Sequence, residues 1–162
     1  MIKKVVIKDL ILSALMMLIL VGLLPTTANA GSVVNECKTG AECVDLGFKY
    51  VTGKDVKQDD FKALKFFQKA CGLNDGGGCF NLGLMYEKGK GVKQDDFKAF
   101  KFFQKACDLN DGSGCSQLGL SYKEGKGVKQ DDFKAFKFFQ KACDLNYGSG
   151  CFNSNHTPFG KT

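Results

Sequence analysis

The feature that most constrains this chain is a 36-residue period. Cys43, Cys79, Cys115 and Cys151 stand 36 positions apart. Cys71, Cys107 and Cys143 keep the same step, as do Leu46/Leu82/Leu118, Gly47/Gly83/Gly119 and Tyr50/Tyr86/Tyr122. Residues 89–112 and 125–148 agree at 23 of 24 positions, with Asp111 against Tyr147 the single difference. Such self-similarity marks a tandem array whose units cannot each bury their own apolar face. Three units read as complete, 43–78, 79–114 and 115–150. Residues 31–42 lead into them, and 151–162 begin a fourth unit and abandon it.

Each unit reads as a helical hairpin. A first helix, A, is expected roughly from Cys79 to Tyr86, with Cys79, Leu82, Gly83 and Tyr86 on one face. Gly83 lets a neighbouring helix approach closely. Gly89-Lys90-Gly91 then breaks the helix, because glycine accepts positive φ. A second helix, B, starts near Asp95-Asp96, whose carboxylates suit a helix N-terminus. Its apolar residues Ala99, Phe100, Phe102, Phe103, Ala106 and Cys107 cover an arc of about 160°. So wide an arc touches more than one neighbour. The segment Asn110-Asp111-Gly112-Ser113-Gly114 is expected to turn the chain back into the next helix A. The expected fold is therefore all-α: an α-solenoid of stacked hairpins.

The N-terminal thirty residues set an expected compartment. Lys3, Lys4 and Lys8 precede an apolar run from Leu10 to Leu24, followed by Ala28-Asn29-Ala30. That order is a charged region, an apolar region and a small-residue cleavage site, so 1–30 read as a signal peptide cleaved after Ala30. The apolar run is short for a membrane span. The mature chain would carry a formal charge of +4 instead of +6, all 8 cysteines, and no stable membrane anchor. A secreted or periplasmic protein with an even cysteine count is best read as a disulfide framework.

Periodicity limits how the cysteines pair, because equivalent residues should pair alike. One repeating scheme joins the end of each helix B to the start of the next helix A: Cys71–Cys79, Cys107–Cys115 and Cys143–Cys151, with Cys37–Cys43 as a shortened version. The other pairs Cys43–Cys71, Cys79–Cys107 and Cys115–Cys143 within units, and strands Cys37 and Cys151 at opposite ends. The first uses every cysteine locally and is the expected one. Each short loop would contribute roughly 2–3 kcal/mol through lost chain entropy. Metal binding is disfavoured, since no C-x2-C spacing occurs.

The run Leu82-Gly83-Leu84-Met85-Tyr86, then Gly89-Lys90-Gly91-Val92, Asp96, Lys98-Ala99 and Lys105-Ala106-Cys107, resembles the Sel1-like repeat. Cysteine stands in place of two small residues per unit, eight positions apart, and in an exported chain this resembles the Helicobacter cysteine-rich protein family. The resemblance covers residues 43–153. It implies helix pairs crosslinked at each B-to-A junction and, from Sel1-like repeats generally, an adaptor surface. Members of the cysteine-rich family are described as penicillin-binding proteins or β-lactamases, so the resemblance also implies a β-lactam-binding hydrolase as an alternative.

The residues themselves carry no catalytic motif. S-x-x-K is absent, and Lys38-Thr39-Gly40 matches K-T-G only as an isolated tripeptide. His156 is the one histidine, too few for a metallo-enzyme, and reads as a tail residue. Asp59-Asp60 and their repeats read as helix caps. A catalytic site is normally unique, whereas these positions recur. Asp108 to Gly112 lacks the register of a calcium loop, and the G-K-G turns lack that of a phosphate loop. Neither a cofactor nor a nucleic-acid partner is expected.

Two surface features remain. Lys62, Lys65 and Lys69 recur as Lys98, Lys101, Lys105 and as Lys134, Lys137, Lys141, a ladder that reads either as an anion-binding stripe or as a solvated face. Units 2 and 3 differ mainly in helix A, where Phe80, Met85 and Glu87 face Ser116, Ser121 and Lys123. These six are the candidate ligand-facing residues. The expected function is an exported module binding a protein, peptide or glycan. A secreted host-interaction factor is a further alternative beside the hydrolase.

Overall fold

The computed structural model describes residues 36–155. The expected signal peptide at 1–30, residues 31–35, and the tail 156–162 with His156 and Pro158 lie outside the described residues. Among the described residues the chain forms seven α-helices and no strand. They are α1 Gly40–Thr52, α2 Asp60–Gly72, α3 Gly76–Lys88, α4 Asp96–Asp108, α5 Gly112–Glu124, α6 Asp132–Asp144 and α7 Gly148–Asn155. Odd-numbered helices are the A helices and even-numbered ones the B helices.

Capping defines where each helix begins. Asp59, Asp95 and Asp131 each accept a hydrogen bond from the backbone N–H three residues on, at 3.0, 2.9 and 2.9 Å. These are the first residues of the double-aspartate pairs, so the expected capping role is the one observed. The A helices use the same device. Asp75 accepts from Gly78 N–H at 2.8 Å, and Asp111 from Gly114 N–H at 2.7 Å. Thr39 and Glu42 form a capping box on α1.

These caps correct one reading of the sequence. The glycines after Asp75 and Asp111 are not the chain reversal; they form the first turn of helix A, which therefore starts at Gly76 rather than near Cys79. The reversal is made by Asn74, Asn110 and Asn146, which hold φ of 59°, 61° and 59°. Asparagine tolerates this left-handed conformation better than most residues. Glycine is needed in the first turn for a different reason. A Cβ on Gly78 or Gly114 would strike Ala70 or Ala106 of the preceding B helix.

The break after helix A behaves as expected. Gly89 and Gly91 take φ of 65° and 67°, and Gly125 and Gly127 take 71° and 68°. In the first unit Asp55 replaces the second glycine, at φ 62°. A Cβ on Gly91 or Gly127 would meet the backbone of Asp60 or Asp96 in the preceding unit. No preceding unit is present among the described residues to crowd Asp55.

The core repeats once per unit. Phe67, Phe103 and Phe139 are at most 1% exposed, and each ring lies where a Cβ on Gly47, Gly83 or Gly119 would stand. The small residue in helix A and the large one in helix B are thus two halves of one contact. Ala99, Phe100, Ala106 and Cys107 are also buried, while Phe102 is half-buried and Phe97 is exposed. Helix α3 packs on its own partner α4, on α2 before it, and on the A helices on either side, α1 and α5. This stacking is an α-solenoid.

Four disulfides staple the stack: Cys37–Cys43, Cys71–Cys79, Cys107–Cys115 and Cys143–Cys151. All are the junction pairs; the within-unit scheme does not occur. The start of the fourth unit departs from the pattern. Ser154 is buried at the position that Leu82 and Leu118 hold, and its hydroxyl donates to the Cys151 carbonyl at 2.9 Å. Phe152, the counterpart of half-buried Phe80, is 63% exposed.

Candidate functional site

The two sides of the stack present different chemistry. On the A side, Phe48 and Val51 of α1 face Asn81, Leu84, Met85 and Lys88 of α3 across a groove of about 200 Å³, with Phe67 and Lys90 completing it. Phe48 is 45% exposed and meets Phe67 edge-on, 5.5 Å between ring centroids. The groove is lined mainly by apolar side chains, with Asn81 and two ammonium groups, those of Lys88 and Lys90, among them.

The equivalent position between α3 and α5 is filled differently. Lys126 reaches Glu124 at 3.1 Å and Glu87 at 3.9 Å. The hydrogen bond to Glu124, then the charges of Glu124 and Glu87, hold the Lys126 ammonium above its ordinary pKa. The first junction is open and basic, whereas the second is spanned by an ion-pair network.

The six candidate ligand-facing residues separate accordingly. Met85 lines the groove although it is itself buried. Glu87 pairs with Lys126. Lys123 is exposed. Phe80 is half-buried with its ring 6.1 Å from Phe103. Ser116 and Ser121 are buried, and the Ser121 hydroxyl donates to the Gln117 carbonyl at 2.9 Å. The structure does not bring the six together in one site. Phe48 and Leu84, which do line the groove, occupy the same repeat position as Leu120. A comparison restricted to units 2 and 3 sees leucine twice and passes over it. The signal was the phenylalanine in unit 1.

On the B side the nine-lysine ladder divides into distinct roles. Lys62, Lys98 and Lys134 pair with the capping Asp59, Asp95 and Asp131 at 3.9, 3.5 and 3.6 Å. They also lie over Tyr50, Tyr86 and Tyr122, which stack on Phe66, Phe102 and Phe138. Lys105 and Lys141 each donate to a carbonyl of the preceding B helix, Cys71 and Cys107, both at 2.9 Å. These bonds satisfy C-terminal helix carbonyls and couple neighbouring units. Lys69 lines a pocket of about 370 Å³ with Lys62, Lys65 and Phe66. Lys65, Lys101 and Lys137 are exposed over Phe61, Phe97 and Phe133.

Among the described residues no group of three or more His, Cys, Asp or Glu is placed to hold a metal. No described helix is long and apolar enough to cross a membrane.

Comparison with known proteins fits this geometry. Among curated proteins none matches the chain significantly. Solved structures that resemble it include the following three. Cysteine rich protein B of Helicobacter pylori superposes with a TM-score of 0.61 at 39% identity, over 70% of this chain and 87% of that one. A Sel1 repeat protein from Oxalobacter formigenes gives 0.69 at 33% identity, over 75% of this chain and 49% of that one. A protective antigen of uropathogenic Escherichia coli strains, described as displaying an SLR fold, gives 0.66 at 32% identity, over 69% of this chain and 24% of that one. The chain thus spans less than half the length of these last two proteins. The Sel1 repeat model matches residues 43–75, 77–111 and 112–147, more than half of the sequence. With three consecutive matches laid over hairpins of this geometry, the chain belongs to the Sel1 repeat family.

Proposed function

We propose that this protein works outside the cytoplasm as a binding module, and that its ligand is a peptide segment of another protein lying in the α1–α3 groove. Sel1 repeats generally mediate protein–protein interactions, which supports the class of partner. The four disulfides and the similarity to the Helicobacter protein suggest an extracytoplasmic location. The N-terminal segment read as a signal peptide agrees with export.

The observation that carries the reading is the contrast between the two A-side junctions. The groove between α1 and α3 keeps Phe48 half exposed and has Lys88 and Lys90 in its lining. An apolar peptide carrying an acidic residue would complement it in charge and in apolar contact. The neighbouring junction has the opposite bias and is already spanned by Lys126.

The test is selection of displayed peptides on the purified, oxidised chain. Selected peptides are expected to share apolar residues with a flanking Asp or Glu. Their binding should be lost in the Lys88→Glu, Lys90→Glu double variant. Peptides that ignore both charge reversals would overturn the groove assignment. The hydrolase alternative is checked on the same material: nitrocefin turnover at enzyme-like rates, lost on reduction, would replace the binding-only reading.

A further inference from the structure

The B side carries a repeating surface that the peptide groove does not use. Of its lysines, one per unit is neutralised by the capping aspartate. Lys105 and Lys141 are tied to backbone carbonyls. Lys65, Lys101 and Lys137 differ from these. Among the described residues none of the three pairs with a carboxylate; each ammonium instead lies over an aromatic ring, at 4.5 Å from Phe61, 5.5 Å from Phe97 and 4.5 Å from Phe133. A ring holds a cation in place without cancelling its charge. Even so covered, Phe61, Phe97 and Phe133 remain 55, 59 and 51% exposed. The result is three like stations, each a positive charge beside an accessible aromatic surface, with Lys101 also 5.9 Å from the Phe100 ring. Successive B helices follow one another at both ends: Lys105 and Lys141 reach the Cys71 and Cys107 carbonyls near the C-termini, and the Gly91 and Gly127 turns that lead into the next B helix lie against the backbone at Asp60–Phe61 and Asp96–Phe97.

Stations repeated once per unit suit a ligand that is itself periodic. A folded protein partner has no reason to present the same group at every step. We propose that the row Phe61/Lys65, Phe97/Lys101, Phe133/Lys137 binds a linear acidic polysaccharide. In this arrangement each ammonium meets a carboxylate or sulfate of the chain, and each ring takes the apolar C–H face of a sugar. The aromatic half of each station is what favours a glycan over an acidic peptide, which would need only the charges. The crosslinked, extracytoplasmic setting favours it over nucleic acid.

Heparin oligosaccharides of graded length, titrated onto the oxidised chain, test this. Affinity is expected to rise with length until three stations are spanned and then level off, as linked contacts require. The Lys65→Gln, Lys101→Gln, Lys137→Gln variant should bind at least about tenfold more weakly, since it removes every link of the multivalent contact. The matching Lys62→Gln, Lys98→Gln, Lys134→Gln variant should lose less, because those charges are already compensated. Acetylation footprinting of the unsubstituted chain avoids any folding defect: bound heparin should protect Lys65, Lys101 and Lys137. Failure of heparin to bind, equal affinity for a disaccharide and a long chain, or absence of protection at these lysines would overturn the proposal. Polyglutamate or single-stranded DNA binding as tightly as heparin of equal charge would overturn the glycan assignment. The peptide groove shares no residue with this row, so either result leaves the groove reading intact.

Discussion

The A and B helices of this protein are built from the same period yet behave differently. Helices α4 and α6 have the same sequence, DFKAFKFFQKACD, whereas α3 and α5 differ at several positions along the same length. The B helix has to satisfy several demands at once. Its phenylalanine fills the space left by the glycine of helix A, its alanine meets the glycine of the next helix A, and its lysine bonds the preceding unit. Few positions are left to vary. The A helix meets the core through a leucine, a glycine and a cysteine, and its other positions are free to take Phe48 or Leu84, Glu87 or Lys123. Repetition on one side holds the stack together; variation on the other makes one junction unlike the next.

The sharpest way to break that contrast is Phe103→Ala. The ring is 1% exposed, so its removal should cost about 3–5 kcal/mol in urea unfolding of the oxidised chain. A loss comparable to that of an exposed substitution would show that the B helices do not hold the units together. Next in size is the double change Cys107→Ser, Cys115→Ser, expected to cost roughly 2–3 kcal/mol by releasing one junction loop. Melting of this variant should also separate residues before and after the junction in hydrogen exchange; uniform exchange would mean that packing alone couples the units. Smaller still is Asp111→Ala, about 1 kcal/mol from loss of the α5 cap. It asks whether the A helices depend on their caps as the B helices do.

The smallest effect is a dependence on acidity. The backbone N–H of Lys98, more than the nearby ammonium, holds the Asp95 carboxyl below its usual range. Its folded-state value is therefore depressed. The stabilisation is complete above the ordinary carboxylate range, about pH 4, and fades as pH falls through the folded value. Thermal melts of Asp95→Asn should lose that acid-side slope. An unchanged slope would mean the cap is not what titrates.

Some residues could be read directly and others could not. Gly83 announced a close approach because its neighbours are apolar at helical spacing, and Phe103 is the group that approaches. Gly112 and Gly114 misled because glycine signals both turns and tight packing, and only the position of Ala106 tells the two apart. Ser116 and Ser121 are candidates because they differ from their counterparts Phe80 and Met85, yet a helix wedged among its own partner and two flanking units buries them. The lysine ladder was visible as a charge pattern. Its division into paired, tethered and ring-held lysines depends on which carboxylate, carbonyl or ring lies within a few ångströms, and those groups come from other turns and other units.

By itself the sequence determined the hairpin, its period, the stacking and the class of crosslink, since these follow from local propensity and from the equivalence of repeated positions. Tertiary structure alone decided that one A-side junction stays open while the next is crossed by Lys126, and that Lys65, Lys101 and Lys137 lie over phenylalanine rings rather than beside a carboxylate. Periodicity describes what the units share, but a binding surface is made where neighbouring units meet, and there the unlike residues of two repeats decide the outcome.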